Sequence, residues 1–423
     1  MTRGGKRPGT GRKSIKGKEY RIKIEDSKIE QLELFFEGNT VTEKIRTCLE
    51  YGIKKIHEKQ PILDDSYTVL DLFSGAGGLS RGFMDAGFNV VLGIDFDDAA
   101  LKTFKANHGY AEAMKLDLFN HENINKIEDF LNLKDIKLDV LVGGPPCQGF
   151  SLAGKREEFD ERNVLYSAMV KTAELLKPKV VVLENVPGLL TLYKGKAKQQ
   201  ILSDFGKLGY KMDVKVLYAP QYGVPQIRKR AFFVGILTNE EYNFEFPIPY
   251  LEEDKFVNCE QAISDLPSLV DCYDFDLAKT RDYVCAPSSD YQIMMRSFSE
   301  VVYNHTPTRH AEKTIELISL VPEGKNYKAL PLELQVGIKY NESLTRYHSK
   351  KPSRTIDTGH RTHFHYKWNR IPTVRENARF QSFPDDFIFF GNKQEQYKQV
   401  GNAVPPLLGK AIAKQVKEVL DDE

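Results

Sequence analysis

The sequence has few cysteines, almost no net charge and no long apolar run, and each shortage excludes something. Its five cysteines, Cys48, Cys147, Cys259, Cys272 and Cys285, are odd in number and form no Cys-x-x-Cys pair. That argues against a disulfide framework and against a zinc site. Lys and Arg total 60 against 59 Asp and Glu, a formal net charge of +1, so any attraction for nucleic acid must rest on local patches rather than a global field. No apolar run reaches the roughly 20 residues that span a bilayer, and MTRGGKRPGTGRK lacks the apolar stretch of a secretory signal. The expectation is a reduced, metal-free, cytoplasmic chain, whose 423 residues allow two or three domains at roughly 100–200 residues each.

What the chain does have begins with a basic arm. Between Arg3 and Lys23, nine cations face one acid, Glu19, with Gly and Pro interleaved, a composition that favours a disordered cationic segment. YRIKIED then alternates like a strand, while SKIEQLELFFEG and TVTEKIRTCLEYGIKKI carry helical spacing, with Ser27 and Thr40 or Thr42 as N-caps. This strand-helix-helix order resembles ribbon-helix-helix DNA-binding modules, which pair the strands of two chains and lay the ribbon in the major groove. A solvated helical extension packed on the body is the alternative. HEKQPILDDS reads as a linker.

From there the rhythm changes. SYTVLDLF, NVVLGID, KLDVLVGG and KVVVLENV are apolar runs of strand length separated by helical patterns such as AALKTFKANHG and VLYSAMVKTAELLKP. Such alternation predicts an α/β fold, a doubly wound, mostly parallel sheet covered on both faces, with ligands collecting at the carboxyl ends of the strands. After RAFFVGIL, roughly residues 240–350 become rich in Pro, Tyr, Asp and Ser, which marks a second domain. VGNAVPPLLGKAIAKQVKEVL recovers a helical pattern behind a Pro-Pro cap. The domains expected are therefore 1–62, then 67–240 completed by 397–423, and a smaller one over 241–396.

The residues suited to chemistry sit at the strand ends. DLFSGAGG follows an apolar strand and leads into a helix, so Gly75 and Gly77 lie where backbone can approach a ligand closely. It is not the Gly-x-Gly-x-x-Gly of dinucleotide binders. Asp95 ends the next strand at the place where doubly wound folds hold a ribose, with Phe96 beside it to stack on a base, and Asp117 ends a third strand, suited to accept from an amino group. In GGPPCQGFS, one thiol, Cys147, stands just past an apolar strand in a proline-stiffened turn, followed by the polar run SLAGKREEFDERN, which reads as a movable loop. Glu184 follows the wholly apolar KVVVL, where burial raises a carboxyl group's pKa. QYGVPQIRKR brings Gln226, Arg228 and Arg230 to the start of RAFFVGIL; if that is a strand, the two arginines share a face and bind a carbonyl or phosphate, or form a solvated edge.

Taken in order, DLFSGAGG, PPCQGFS, ENVPG, QYGVPQIRKR, RIPTVRENARFQSFPDDF and GNAVPP resemble the motif series of the DNA cytosine-5 methyltransferases. The resemblance covers about Thr68 to Lys414, excepting the variable stretch before HSKKPSRTID, and leaves the N-terminal extension outside. It implies a class I S-adenosylmethionine-dependent, Rossmann-like fold. Phe73, Gly75, Gly77 and Pro145 would border S-adenosylmethionine, Asp95 would hold its ribose, Phe96 would stack and Asp117 would meet the adenine, with Asn402 and Val404 closing the pocket. Cys147 would attack cytosine C6, Glu184 would bond and protonate N3, and Arg230, supported by Gln226 and Arg228, would hold a base flipped out of double-stranded DNA. Ser151 and Arg156 would lie near the DNA backbone. The ribose position departs from the family, which typically has Glu there.

The recognition domain of such enzymes would fall in the variable region, where Arg361, Thr362 and His363 are either DNA contacts or part of a polar loop. A transfer-RNA methyltransferase of the same chemistry is disfavoured, because its Cys-Phe-Thr signature is missing. A DNA-binding regulator with an inactive transferase body is disfavoured by the intact Cys147, Glu184 and Arg230. The resemblance places the chain in a bacterial or phage restriction-modification setting. The N-terminal module would bind the operator of the chain's own gene, dimerising through its strand.

Overall fold

The computed structural model describes residues 40, 41, 45, 66–146, 164–239, 244–270, 272, 274–335, 344–359 and 362–422. The chain divides into two compact units, Met1–Asp64 and Asp65–Glu423. Of the first, only Thr40, Val41 and Ile45 are among the described residues, so the basic arm and the strand-helix-helix pattern, with the Ser27 and Thr42 caps, lie outside them. Val41 and Ile45 are helical.

The second unit is built on a seven-stranded sheet. Its elements run β1 (Thr68–Leu72), α1 (Gly78–Met84), β2 (Asn89–Asp95), α2 (Asp98–Asn107), β3 (Glu112–Lys115), α3 (Asn123–Leu133), β4 (Val140–Gly143), α4 (Val164–Leu176), β5 (Val180–Asn185), α5 (Lys196–Lys207), β6 (Tyr210–Tyr218) and β7 (Lys229–Leu237). The spatial order is β3-β2-β1-β4-β5-β7-β6. β1 through β5 are parallel, and β7 runs antiparallel to both β5 and β6. The order reverses between β1 and β4, and a crevice opens outside the carboxyl ends of strands at such a switch point.

The central strands β4 and β5 form where the sequence supplies β-branched and aliphatic runs, VLVG and VVVL, because a parallel strand is buried on both faces. Val69, Val140, Val142, Val180 and Val182 point to one core with Leu408, Ile412 and Val416. Leu70, Leu72, Leu92, Leu141, Val181 and Leu183 point to the other with Ile127, Met169 and Phe205. Asp97 caps α2 by accepting from the amides of Ala99 and Ala100 at 3.1 and 3.2 Å.

Beyond β7 come α6 (Cys259–Ile263), α7 (Asp290–Arg296), α8 (Glu312–Ser319), the two-stranded parallel pair β8 (Thr345–Arg346) and β9 (His363–Phe364), α9 (Val374–Phe380), α10 (Lys393–Asn402) and α11 (Pro406–Asp421). A third core gathers Cys259, Ile263, Tyr291, Phe380, Phe383, Phe387 and Val400, and it includes Ala76 from the β1–α1 turn. Position 396/397, where sequence pattern divides the domains, falls inside α10. α11 starts at Pro406 behind Pro405 and packs Leu408 and Ile412 into the first sheet core. No helix among the described residues is long and apolar enough to cross a membrane.

Candidate functional site

A cleft of about 380 Å³ lies across the switch point, within the roughly 300–1,000 Å³ typical of small-molecule sites. β1 and its turn supply Asp71, Phe73, Ser74, Gly75 and Ala76, β2 supplies Asp95 and Phe96, and the segment after β4 supplies Gly144, Pro145 and Pro146. Glu184, Asn185, Arg230, Lys398, Asn402, Ala403 and Val404 complete the wall. Of the residues expected from sequence, the cleft thus gathers Phe73, Gly75, Asp95, Phe96, Pro145, Glu184, Arg230, Asn402 and Val404. Cys147 lies outside the described residues, as do Ser151, Arg156 and Arg361; Pro146, which precedes Cys147, lines the cleft.

The turn after β1 is shaped by its backbone. Phe73 and Gly75 both take positive φ, 60° and 53°, a region that a bulky residue occupies only when its surroundings enforce it. The turn is clamped by Asp95, whose Oδ2 accepts from the Gly75 amide at 2.8 Å and whose Oδ1 accepts from the Phe96 and Asp97 amides at 2.8 and 3.0 Å. A carboxylate offers about four lone-pair sites, so Oδ2 keeps one for a ligand hydroxyl. Phe96 next to it is 68% exposed, an unburied aromatic face inside a concave site.

Gly77 does not line the cleft. Its φ of 88° and the buried His108 ring packed on its Cα give it a structural role: the two ring nitrogens of His108 lie 3.0 Å from the Gly77 carbonyl oxygen and 2.8 Å from that of Phe104. Asp117 is also outside the lining; it is exposed past β3, and its carboxylate accepts from the Phe119 amide at 3.0 Å.

Glu184 and Arg230 meet at the floor. Arg230 Nε lies 2.6 Å from Glu184 Oε1, both side chains nearly buried. Burial pushes the Glu184 carboxyl above the usual carboxylate range, and Arg230 and then Arg228 offset this in part. Arg230 Nη1 donates to the Lys229 carbonyl at 2.8 Å.

Gln226 and Arg228, expected to help hold the ligand, are buried behind the cleft instead. Arg228 Nη2 donates to the carbonyls of Gly401 and Ala403, both at 3.0 Å. Burial, with repulsion from Arg230, brings the Arg228 guanidinium down to about 9. Gln226 Nε2 donates to Gln381 Oε1 at 2.7 Å, and its Oε1 accepts from the Ile356 amide at 3.0 Å. These two side chains hold the GNAVPP segment and the 353–381 region against the start of β7.

Three residues of the site escaped sequence reasoning. Asp71 opens the DLFSGAGG motif, and an acid closing an apolar strand was the available signal. Asn185 donates from Nδ2 to the Pro145 carbonyl at 2.9 Å and so ties the end of β5 to the segment that leads to Cys147; its place beside Glu184 was a signal. Lys398, paired with Asp97 at 3.0 Å, gave none. Thr362 donates to Asp357 at 2.7 Å and His363 stacks on Tyr347 with ring centroids 5.2 Å apart. Among the described residues no group of three His, Cys, Asp or Glu side chains is placed to hold a metal.

The sequence pattern of the family described as C-5 cytosine-specific DNA methylase matches residues 67–418. The Type II methyltransferase M1.HphI of Haemophilus parahaemolyticus is 36% identical over 378 residues, covering 89% of this chain and 93% of its own. The Type II methyltransferase M.DdeI of Desulfomicrobium norvegicum is 36% identical over 381 residues, covering 82% and 88%. Among solved structures, an E. coli prophage-encoded protein described as a DNA modification methyltransferase superposes with a TM-score of 0.71 at 27% identity, covering 84% of this chain and 100% of that one. The S. pombe Dnmt2 methyltransferase, at 16% identity and a TM-score of 0.51, shares the fold.

Proposed function

Because the chain belongs to the C-5 cytosine-specific DNA methylase family, and is a DNA (cytosine-5-)-methyltransferase on that ground, we propose that it methylates C5 of one cytosine within a specific double-stranded DNA sequence through covalent attack by Cys147. The observation that carries this reading is the Glu184–Arg230 contact at 2.6 Å, placed on the wall of the same cleft that Pro146 leads into.

The cleft fits S-adenosylmethionine: Asp95 Oδ2 retains a lone pair for a ribose hydroxyl, Phe96 offers a stacking face, and Asn402 and Val404 close the far wall. When bound, that cofactor supplies an electrophilic methyl group. Cytosine C5 is a poor nucleophile until a thiolate adds to C6, and an acid at N3 neutralises the charge that addition places on the ring. Glu184, whose carboxyl holds a proton above the usual range, delivers that proton. Arg230, with Nε on Glu184 and Nη1 on a carbonyl, keeps Nη2 for the pyrimidine oxygen. The C5 atom of the resulting enamine would take the methyl group; loss of the C5 proton, expulsion of the thiolate and return of the N3 proton to Glu184 restore the ring and free Cys147. The ring atoms are unreachable within a stack, so the base is flipped out at a cost of a few kcal/mol.

Gln226 and Arg228 act as positioning residues. Residues 241–396 present the recognition surface, and 67–240 with 397–423 form the catalytic part. The modified sequence is protected from a cognate restriction endonuclease. Bisulfite sequencing of DNA from cells expressing the protein should reveal new 5-methylcytosine at one sequence, and none would refute the assignment. Cys147→Ala should abolish covalent trapping on 5-fluorocytosine DNA; a persistent complex would remove Cys147 as nucleophile.

The basic arm with its strand-helix-helix pattern supports a second role for residues 1–62: binding the operator of the chain's own gene as a dimer. Deleting them should derepress a promoter reporter while methylation continues, and an unchanged reporter would end that idea.

A further inference from the structure

The cleft contains an acid that the chemistry above does not use. Asp71, the penultimate residue of β1, lines the cleft although it is buried. One oxygen accepts from the Ser80 hydroxyl of α1, and among the described residues no cation pairs with it. The cations that share the cleft are both committed elsewhere: Arg230 to Glu184 at 2.6 Å and Lys398 to Asp97 at 3.0 Å. Arg81 of α1 turns to Asp85 and Asp386 at 2.9 and 3.7 Å, and His108 of α2 is occupied by the carbonyls of Gly77 and Phe104. What remains near Asp71 is a second acid, Asp95, whose carboxylate is fixed by three backbone amides. The cleft therefore holds two neighbouring acids, Asp71 and Asp95, that no cation pairs with among the described residues.

Burial and repulsion from Asp95, opposed by the Ser80 hydrogen bond, push Asp71 up to about 7. A group in that condition changes its charge for little free energy when a charged ligand arrives. The methyl donor carries a permanent positive charge on sulfur; S-adenosylhomocysteine, the product, is a neutral thioether of otherwise the same shape.

Resting on the reading of this cleft as the cofactor site, we propose that Asp71 senses that charge, being held ionised when S-adenosylmethionine occupies the cleft and keeping the proton equilibrium of the empty cleft when S-adenosylhomocysteine does. Donor binding then releases a proton to solvent, and the proton returns once the methyl group has left. Donor affinity rises with pH through neutrality, product affinity does not, and methyl transfer itself loosens the hold on the product.

Calorimetry on the full chain tests this. Each ligand is titrated at pH 7 in phosphate and in Tris, whose different ionisation enthalpies count the protons released. About half a proton is expected for the donor and none for the product, and donor Kd should tighten about tenfold between pH 6 and pH 8 while product Kd stays level. Asp71→Asn should erase both differences. If that variant does not fold, Ser80→Ala, which removes a hydrogen bond that favours the ionised form, should move the donor's pH midpoint upward. Equal proton release by the two ligands, release that persists in Asp71→Asn, or an unmoved midpoint in Ser80→Ala would overturn the proposal. Failure of S-adenosylmethionine to bind at all would instead overturn the cofactor reading and take this one with it.

Discussion

Arg230 reaches Glu184 because β7 runs antiparallel to β5: Glu184 pairs across the sheet with Phe232, and Arg230, two residues earlier, stands on the same face at the open end of the strands, 2.6 Å away. With all strands parallel, the start of β7 would lie at the opposite edge of the sheet. Glu184 works as an acid only while it keeps its proton. Its carboxyl is raised above the usual range by burial, so single-turnover methylation should persist above the ordinary carboxylate pKa and fall as pH climbs through the folded value. Glu184→Gln should lower the rate by on the order of 10²–10⁴-fold. Arg230→Ala removes a cation that lowers the Glu184 pKa, so its residual activity should decline at a higher pH than the wild type's. A falling limb in the same place would show that Glu184 does not set it.

Phe96 is 68% exposed in the cleft, so little of the fold depends on its ring. If it stacks on the adenine, Phe96→Ala should weaken S-adenosylmethionine binding by roughly 1–3 kcal/mol, the range for a base on an aromatic face, with the unfolding midpoint unchanged. Equal loss of affinity and of stability would mark the ring as structural.

The strands that carry this site were legible because a strand buried on both faces reads as an apolar run, unbroken in VLVG and VVVL and interrupted in TVLDL only by Asp71. β6 was not, since Tyr210–Tyr218 is an edge strand, half exposed, whose Lys211, Asp213 and Lys215 interrupt any run. The same contrast runs through the site. Glu184 was readable because the four buried aliphatic residues before it, Val180–Leu183, carry the strand through the middle of the sheet and leave the acid at its carboxyl end. How Gln226 and Arg228 are held was not legible, because their partners, Gln381, Gly401 and Ala403, stand 155, 173 and 175 residues away, a separation over which spacing says nothing of contact. The outward turn of Asp117 was invisible for a simpler reason: β3 is a short, half-exposed edge strand, and an acid after such a strand reads alike whether it faces a cleft or solvent.

Arg228 should separate positioning from chemistry. Its two 3.0 Å bonds hold the carbonyls of Gly401 and Ala403, on either side of the cleft residue Asn402. Lysine keeps the charge but not the planar fork, so Arg228→Lys should cost about 2–3 kcal/mol of stability, the scale of one or two hydrogen bonds to a charged group. It should also raise KM for S-adenosylmethionine with little change in kcat. A fall in kcat at constant KM would instead place Arg228 at the reacting base.

The motif RIPTVRENARFQSFPDDF puts its charges inside the protein rather than into the cleft. Arg379 is fully buried between Asp265, at 2.5 Å, and Asp385, at 2.7 Å, joining α9 to the segment after α6. Such an assembly need not be more stable than a well-packed apolar one, yet removing one member leaves buried charge without a partner, at about 3–5 kcal/mol. Asp265 keeps Arg296 at 3.3 Å, and Asp385 keeps the Tyr283 hydroxyl at 2.5 Å and Arg375 at 3.8 Å, so Arg379→Ala should fall at the lower end of that range. Asp385, held below the usual carboxylate range chiefly by Arg379 against the opposing effect of burial, would lose that support and titrate higher. Wild type should lose this part of its stability only as pH falls through the lowered Asp385 value; the variant should already be destabilised at neutral pH and should narrow its deficit on acidification, as protonation relieves Asp385 of its weakened pairing. Chemical denaturation at pH 5 and pH 8 measures both. A deficit that does not narrow at the lower pH would mean that packing around the guanidinium, and not its charge, holds this region together.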